Sequence, residues 1–252
     1  MKDKSTRLFY FLGAFFLANA ILAEFIGVKI FSLEKTFGVN PTNISLLGIE
    51  NLSFNLTAGV LLWPAVFIMT DIINEYFGRK GVRFLSFTAA GLILYAFLMV
   101  YLTIQLSPAD FWIERITSNG KINMEYAFKA IFGQGLWIIV GSLVAFLIGQ
   151  LVDVTVFHLV KSKTGSNKIW LRATGSTLVS QFIDSFVVLF IAFYIGAGWD
   201  LKLVFAIGIM NYSYKFLIAI ILTPLLYIIH YLVDIYLGKE TAHKLMEEAT
   251  EK

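Results

Sequence analysis

Five carboxylates, Glu24, Asp71, Glu75, Asp153 and Asp184, lie inside apolar stretches long enough to cross a bilayer. The densest group is Thr70-Asp71-Ile72-Ile73-Asn74-Glu75-Tyr76-Phe77-Gly78-Arg79-Lys80. Asp71, Asn74 and Glu75 are spaced i, i+3, i+4, which gathers them on one face of a helix. An acid at membrane depth costs about 2.5 kcal/mol or more on insertion. A chain that keeps several is expected to use them to hold something polar on its way across. The other polar residues keep the same spacing: Gln150 with Asp153, Thr177 with Gln181 and Asp184, Asn211 with Lys215. Lipid cannot satisfy such stripes, so they must face each other or a wet cavity.

Carboxylates accept hydrogen bonds, and side-chain amides both donate and accept. A set of Asp, Gln and Asn with one Lys suits a planar heterocycle with a guanine-like edge. One carboxylate accepts from the ring N–H and the exocyclic amine together, while an amide or ammonium donates to the ring carbonyl. Phe25, Trp63, Phe67, Tyr76 and Tyr212 are available to stack on such a ring. The same acids equally suit a cationic amine or a proton relay, and residue chemistry alone leaves these options open. Local pairing is expected for Asp184 with Lys215, Asp153 with Arg172, and Glu75 with Arg79 one turn on, the last as an interfacial anchor. Asp71 lies two turns from Arg79 and too deep to reach water, so it is the first candidate for a ligand.

The elements that position these residues follow from composition. Of 252 residues, 58% are hydrophobic and 16% aromatic, and the mean hydropathy is +0.76. This composition predicts an all-α, polytopic bundle forming a single integral membrane domain over residues 1–252. With about 20 residues needed per helical crossing, six spans are expected at 8–30, 54–77, 82–106, 135–160, 173–197 and 203–237. Trp63-Pro64 is expected to kink the second span, and Pro224 to tilt or break the last. Gly141, Ser142, Ala145 and Gly149 allow close packing in the fourth. The ends of the second and fourth spans, 68–75 and 148–155, hint at a parallel repeat. The segment 107–134 carries Met124, Ala127, Phe128 and Ile131 at helical spacing, consistent with a surface amphipathic helix or an ordinary covering loop.

Lys and Arg set the orientation. With the N-terminus inside, 13 fall on the inner side and 6 on the outer, with Lys215 within a span, which predicts N-in/C-in. These basic residues are spread among short loops and form no nucleic-acid footprint. Lys2, Lys4 and Arg7 ahead of an apolar run imitate a signal peptide, but the run continues to Ile30, as a retained first helix would.

The chain has no cysteine, which excludes disulfides and thiol chemistry, and its three histidines, His158, His230 and His243, argue against a zinc site. No H-E-x-x-H or Walker motif occurs. A membrane hydrolase is disfavoured, no cofactor is called for, and no enzymatic activity is expected.

Several stretches together resemble the queuosine precursor transporters, a family of six-span, vitamin-uptake-type proteins. They are Ala18-Asn19 with Lys29-Ile30, Trp63-Pro64 leading into Thr70 through Lys80, Gly141 through Phe146 with Gln150-Leu151-Val152-Asp153, and Trp170-Leu171-Arg172 with Ser176 through Ser185. The combined D-x-x-N-E…G-[RK]-K and R-x-x-x-S-T-x-x-S-Q-x-x-D patterns carry the specificity. The resemblance implies a multi-pass protein of the bacterial cytoplasmic membrane. It would import 7-cyano-7-deazaguanine, 7-aminomethyl-7-deazaguanine or queuine for tRNA queuosine salvage. Asp71, Asn74, Glu75, Gln150, Asp153, Gln181, Asp184, Lys215 and Asn19 are the expected substrate-binding residues. A proton or sodium ion is the expected coupling partner, and a homo-oligomer is an open option. The alternative is a substrate-binding membrane subunit that depends on a separate ATPase.

Overall fold

The computed structural model describes residues 3–118, 120–133, 135–164 and 169–251. The first long helix, α1, covers Lys4–Ile26. A cap follows beyond the end of α1: β1 (Ile30–Ser32), α2 (Leu33–Thr36), β2 (Ile44–Leu46), β3 (Ile49–Leu52), β4 (Asn55–Thr57) and a 3-10 turn at Ala58–Leu61. Helix α3 runs over Trp63–Ile104. A second short-element segment holds α4 (Asp110–Ile113), β5 (Glu114–Thr117), β6 (Gly120–Asn123) and α5 (Met124–Phe132). Three long helices complete the bundle: α6 (Leu136–Thr164), α7 (Ile169–Leu189, continued by a π turn over Phe190–Ile195) and α8 (Leu201–Leu237). A polar helix, α9 (Lys239–Glu251), follows.

Among the described residues, five helices are long and apolar enough to cross a membrane. The number differs from the six expected segments because 54–77 and 82–106 belong to one 42-residue helix, α3. That helix is not a rod. Gly78 inside it has φ 71° and ψ −175°. Thr70 and Ser86, eight residues to either side, both donate to Gln150 Oε1, at 3.2 and 3.5 Å. A straight helix would hold them about 24 Å apart. The chain therefore doubles back at Gly78, giving a first arm before it and a second arm after it. No loop over 78–81 is needed, because a glycine reaches this backbone region alone.

Pro64 also departs from expectation. It sits in the first turn of α3, where its missing N–H costs nothing, so it starts the helix rather than kinking it. The residues before it, 54–61, are strand and 3-10 turn instead of span. Pro224 lies within α8, which runs on to Leu237 without interruption.

The direction of each arm follows from side-chain contacts. Phe9 packs on Phe77 with ring centroids 5.1 Å apart, and Phe25 on Phe97 at 5.8 Å, so α1 runs alongside the second arm. Trp63 meets Phe146 and Asn74 meets His158, so the first arm and α6 run together. Ser180 meets Asp153 while Val188 lies beside Gly141, and Asp184 meets Lys215 while Thr174 meets Thr223, which makes α7 antiparallel to both α6 and α8. Lys4 Nζ donates to the Tyr236 carbonyl at 3.1 Å, so the start of α1 and the end of α8 share one end of the bundle. The Gly78 elbow is at that end too, with α9 packed against it through Ala249.

Among the described residues the sheets are three two-stranded ribbons, β1–β4, β2–β3 and β5–β6, all antiparallel. They are additions to the all-α plan and lie at the opposite end. Glu34 ties the first cap together, accepting from the Phe54 amide at 2.8 Å, Thr42 at 3.1 Å and Ser32 at 3.1 Å. Burial alone would push its carboxyl up, but these hydrogen bonds win and hold it at about 2. Residues 124–132 form the helix that their spacing suggests, with Phe128 against Trp112 and Phe132 against Phe25.

Gly78→Ala tests the elbow. A Cβ there would sit 3.1 Å from the Ala249 carbonyl oxygen on a backbone that L-residues avoid. We expect a loss of about 1–3 kcal/mol, read as a lower unfolding temperature in detergent. Deleting α9 relieves the contact but not the backbone strain, so most of the loss should persist. An unchanged unfolding temperature would refute the single-residue reversal.

Candidate functional site

A cleft of about 570 Å3, mouth included, opens between the first arm of α3, α7 and α8. Trp63, Pro64 and Phe67 line it from the first arm, together with Asp71 two turns further in. Thr174, Thr177 and Gln181 line it from α7, and Tyr214, Lys215 and Thr223 from α8. Thr174 and Thr223 join their hydroxyls at 3.0 Å across the α7–α8 seam. The cleft is therefore mostly apolar with a few convergent polar groups, the usual composition of a small-molecule site.

Behind it lies a fully buried polar layer. Gln150 Oε1 receives the Thr70 and Ser86 hydroxyls. Asp153 Oδ1 accepts from Ser180 at 3.1 Å. Asn74 Oδ1 meets His158 Nε2 at 2.7 Å. These contacts leave Asp71 Oδ1, Asn74 Nδ2, Gln150 Nε2, Asp153 Oδ2, Thr177 Oγ1, Gln181 Nε2 and Ser185 Oγ buried without a hydrogen-bond partner. Unsatisfied buried polar atoms cost about 1–3 kcal/mol each, and native folds keep few of them. Among the described residues all seven belong to the first arm, α6 and α7. They mix acceptors, donors and hydroxyls.

Below this layer, toward the Gly78 end, is an ionic trio. Arg172 donates to both Glu75 oxygens, from Nε at 2.9 Å and from an Nη at 2.8 Å. Lys161 Nζ stands 3.4 Å from the same carboxylate and donates to the backbone carbonyls of Glu75 and Met246. Side-chain exposure is 1% for Glu75 and Arg172 and 4% for Lys161, so these are interior charges.

The expected residues thus divide. Asp71, Gln181 and Lys215 line the cleft. Lys215 meets Asp184 at 2.5 Å, the pairing expected from their matched depth. Asn74, Gln150 and Asp153 form the layer behind. Glu75 belongs to the ionic trio. Asn19 is buried on α1, bonded through Nδ2 to the Phe15 carbonyl of its own helix at 2.8 Å, and is not among the cleft residues.

Two expected pairings fail. Glu75 pairs with Arg172 and Lys161 instead of Arg79, because its carboxylate points into the bundle and not along the surface. Arg172 is therefore taken, and Asp153 rests on the Ser180 hydroxyl instead. Of the expected stacking residues, Trp63 and Phe67 line the cleft. Tyr76 is committed to Asp234 at 2.6 Å, Phe25 to Phe97, and Tyr212 to Phe182. His158, Lys161 and Arg172 were missed as site residues. The α6 stripe carried a signal for two of them: continued from Gln150 and Asp153 around the same face, it reaches His158 and Lys161.

Comparison with known proteins follows the same lines. The family described as "Putative vitamin uptake transporter" matches residues 57–229. A "Probable queuosine precursor transporter" of Bacillus subtilis (strain 168) is 28% identical over 71% of this chain and 73% of its own length. One of Haemophilus influenzae is 28% identical over 80% of this chain and 82% of its own. The "Queuosine precursor transporter" of Escherichia coli (strain K12) is 26% identical over 69% and 72%. No solved structure matches significantly. With its long apolar helices and a family match over well more than half its length, this multi-pass membrane protein belongs to the vitamin uptake transporter family.

Proposed function

We propose that the protein imports 7-deazaguanine precursors of queuosine across the bacterial cytoplasmic membrane by alternating access. The observation that carries this reading is the set of unpartnered buried atoms beside the cleft. A guanine-edged ring supplies the N–H donors and carbonyl acceptor that such a set lacks. Asp71 would accept from the ring N–H and exocyclic amine, and Gln181 and Lys215 would donate to the carbonyl. Trp63 and Phe67 would stack on the ring. Gln150, Asp153 and Asn74 would form the layer that holds these groups in place. Queuosine precursors are also what the named relatives are called after.

Six crossings with both termini cytoplasmic complete the proposal. The doubled-back α3 supplies the sixth. Arg79, Lys80, Arg83, Lys161 and Lys163 gather at the Gly78 end, as the positive-inside rule asks of the cytoplasmic face.

The test is competition uptake in cells that cannot make the precursor but express this chain. Unlabelled queuine and the 7-cyano and 7-aminomethyl compounds should displace a labelled precursor, and guanine should do so more weakly. No uptake above the empty vector, with the protein inserted, would overturn the assignment. Uptake by the purified chain in liposomes without ATP would exclude dependence on an ATPase subunit.

A further inference from the structure

Asp153 is an acid with no base to itself. It is fully buried and does not line the cleft. Ser180 satisfies Oδ1, and Oδ2 has no partner. Asp71, 5% exposed, lies at the same level, since Thr70 bonds Gln150 just before Asp153 and Asn74 bonds His158 just after it, and its Oδ1 is also unpartnered. Thr177, 8% exposed, turns its hydroxyl toward both acids and has one hydrogen to share between them.

The charges around this pair do not neutralise it. On α3 there is Glu75, on α6 His158 and Lys161, on α7 Arg172 and Asp184, on α8 Lys215, and on α1 Glu24. Lys215 is matched by Asp184. Lys161 and Arg172 both bond Glu75, and His158 is engaged by Asn74. Counted together, the polar layer and the ionic trio below it therefore set three acids, Asp71, Glu75 and Asp153, against two bases, Lys161 and Arg172. An isolated carboxylate is not left ionised in a dry interior without a compensating positive charge.

We propose that Asp153, with Asp71 and Thr177, binds one monovalent cation, a proton or a sodium ion, whose movement drives uptake. The inference rests on the transport reading above and deepens it. Asp71 belongs to both sites, since it lines the cleft and reaches the pair. Substrate and cation thereby share one carboxylate, which ties the occupancy of one site to that of the other. Ser180 orients Asp153 and is a positioning residue.

The experiment uses purified full-length protein in liposomes with the membrane potential clamped at zero. Labelled 7-cyano-7-deazaguanine is supplied outside, with an inward sodium gradient at equal pH, an inward proton gradient in choline buffer, or neither. Substrate binding is measured separately in detergent. For one-to-one coupling, a tenfold gradient of the correct cation should give about tenfold accumulation. The other two conditions should only equilibrate. Asp153→Asn should lose the response to the gradient, so that whatever uptake it retains only equilibrates under all three conditions. Ser180→Ala, a milder change, should raise the cation concentration needed for half-maximal uptake. Substrate binding with accumulation indifferent to both gradients overturns the cation site alone. Gradient-driven accumulation by Asp153→Asn does the same. A wild-type protein that binds no 7-deazaguanine overturns the transport reading, and the cation site with it.

Discussion

Arg172→Ala should leave little folded protein in the membrane. Arg172 sits at 1% side-chain exposure and gives two hydrogen bonds to Glu75, 97 residues away in sequence. Removing one partner of a buried ion pair leaves the other charged and desolvated, at a cost of about 3–5 kcal/mol. That is a large share of the roughly 5–15 kcal/mol that stabilises a typical domain. Lys161 can compensate only in part, because it reaches one Glu75 oxygen from 3.4 Å. Arg172→Lys keeps the charge but loses the fork that matches both oxygens, so it should fall between. Glu75→Gln should also destabilise, since it leaves Arg172 and Lys161 facing each other. The double variant Glu75→Gln/Arg172→Met should recover part of the loss and no more, because it removes the carboxylate–guanidinium pair but leaves Lys161 buried without its carboxylate. Monodispersity and unfolding temperature in detergent report all four. A wild-type unfolding temperature for Arg172→Ala would show that the trio contributes nothing to the fold.

The same trio marks where the sequence stops being legible. The Asp71 face, the Gln150/Asp153 and Gln181/Asp184 stripes and the Asp184–Lys215 pair follow from helical spacing and depth, because lipid leaves polar residues only one direction to point. The partner of Glu75 does not follow. Arg79 stands at i+4, the distance of a favourable local pair, but Gly78 lies between them and turns the chain back. That break moves Arg79 to the second arm and leaves Glu75 facing α6 and α7. The reversal itself is legible, since the expected spans end at 77 and resume at 82, but spacing alone does not place it at one residue between Glu75 and Arg79. Helix α9 was legible and was overlooked: Ala242, Leu245, Met246 and Ala249 are at i, i+3, i+4 and i+7. Their low overall hydropathy hides them from a search for spans, although the apolar stripe is regular. The cap is the reverse case. Residues 55–61 look like the start of a span, but pairing of β4 with β1 and the helix start at Pro64 keep them outside α3.

Asp71→Asn should weaken precursor binding by about 100-fold, near 3 kcal/mol, since hydrogen bonds to a buried charge are worth about 1.5–3 kcal/mol each. The change is nearly isosteric, so packing around Thr177 and Phe67 is kept. What changes is polarity. The carboxylate offers two acceptors to a ring N–H and an exocyclic amine, whereas the amide offers one acceptor and turns an NH2 toward a donor. The loss should therefore depend on the ligand. Wild-type protein should bind a 7-deazaguanine much more tightly than the analogue lacking the exocyclic amine, and Asp71→Asn should narrow that gap. A general collapse of the site would weaken both ligands equally and leave the gap unchanged. The comparison thus separates recognition by Asp71 from a purely structural role, a distinction that loss of uptake alone cannot make. If Asp71→Asn binds both ligands as the wild type does, the guanine edge is read elsewhere in the cleft, and Gln181 and Lys215 become the residues to test next.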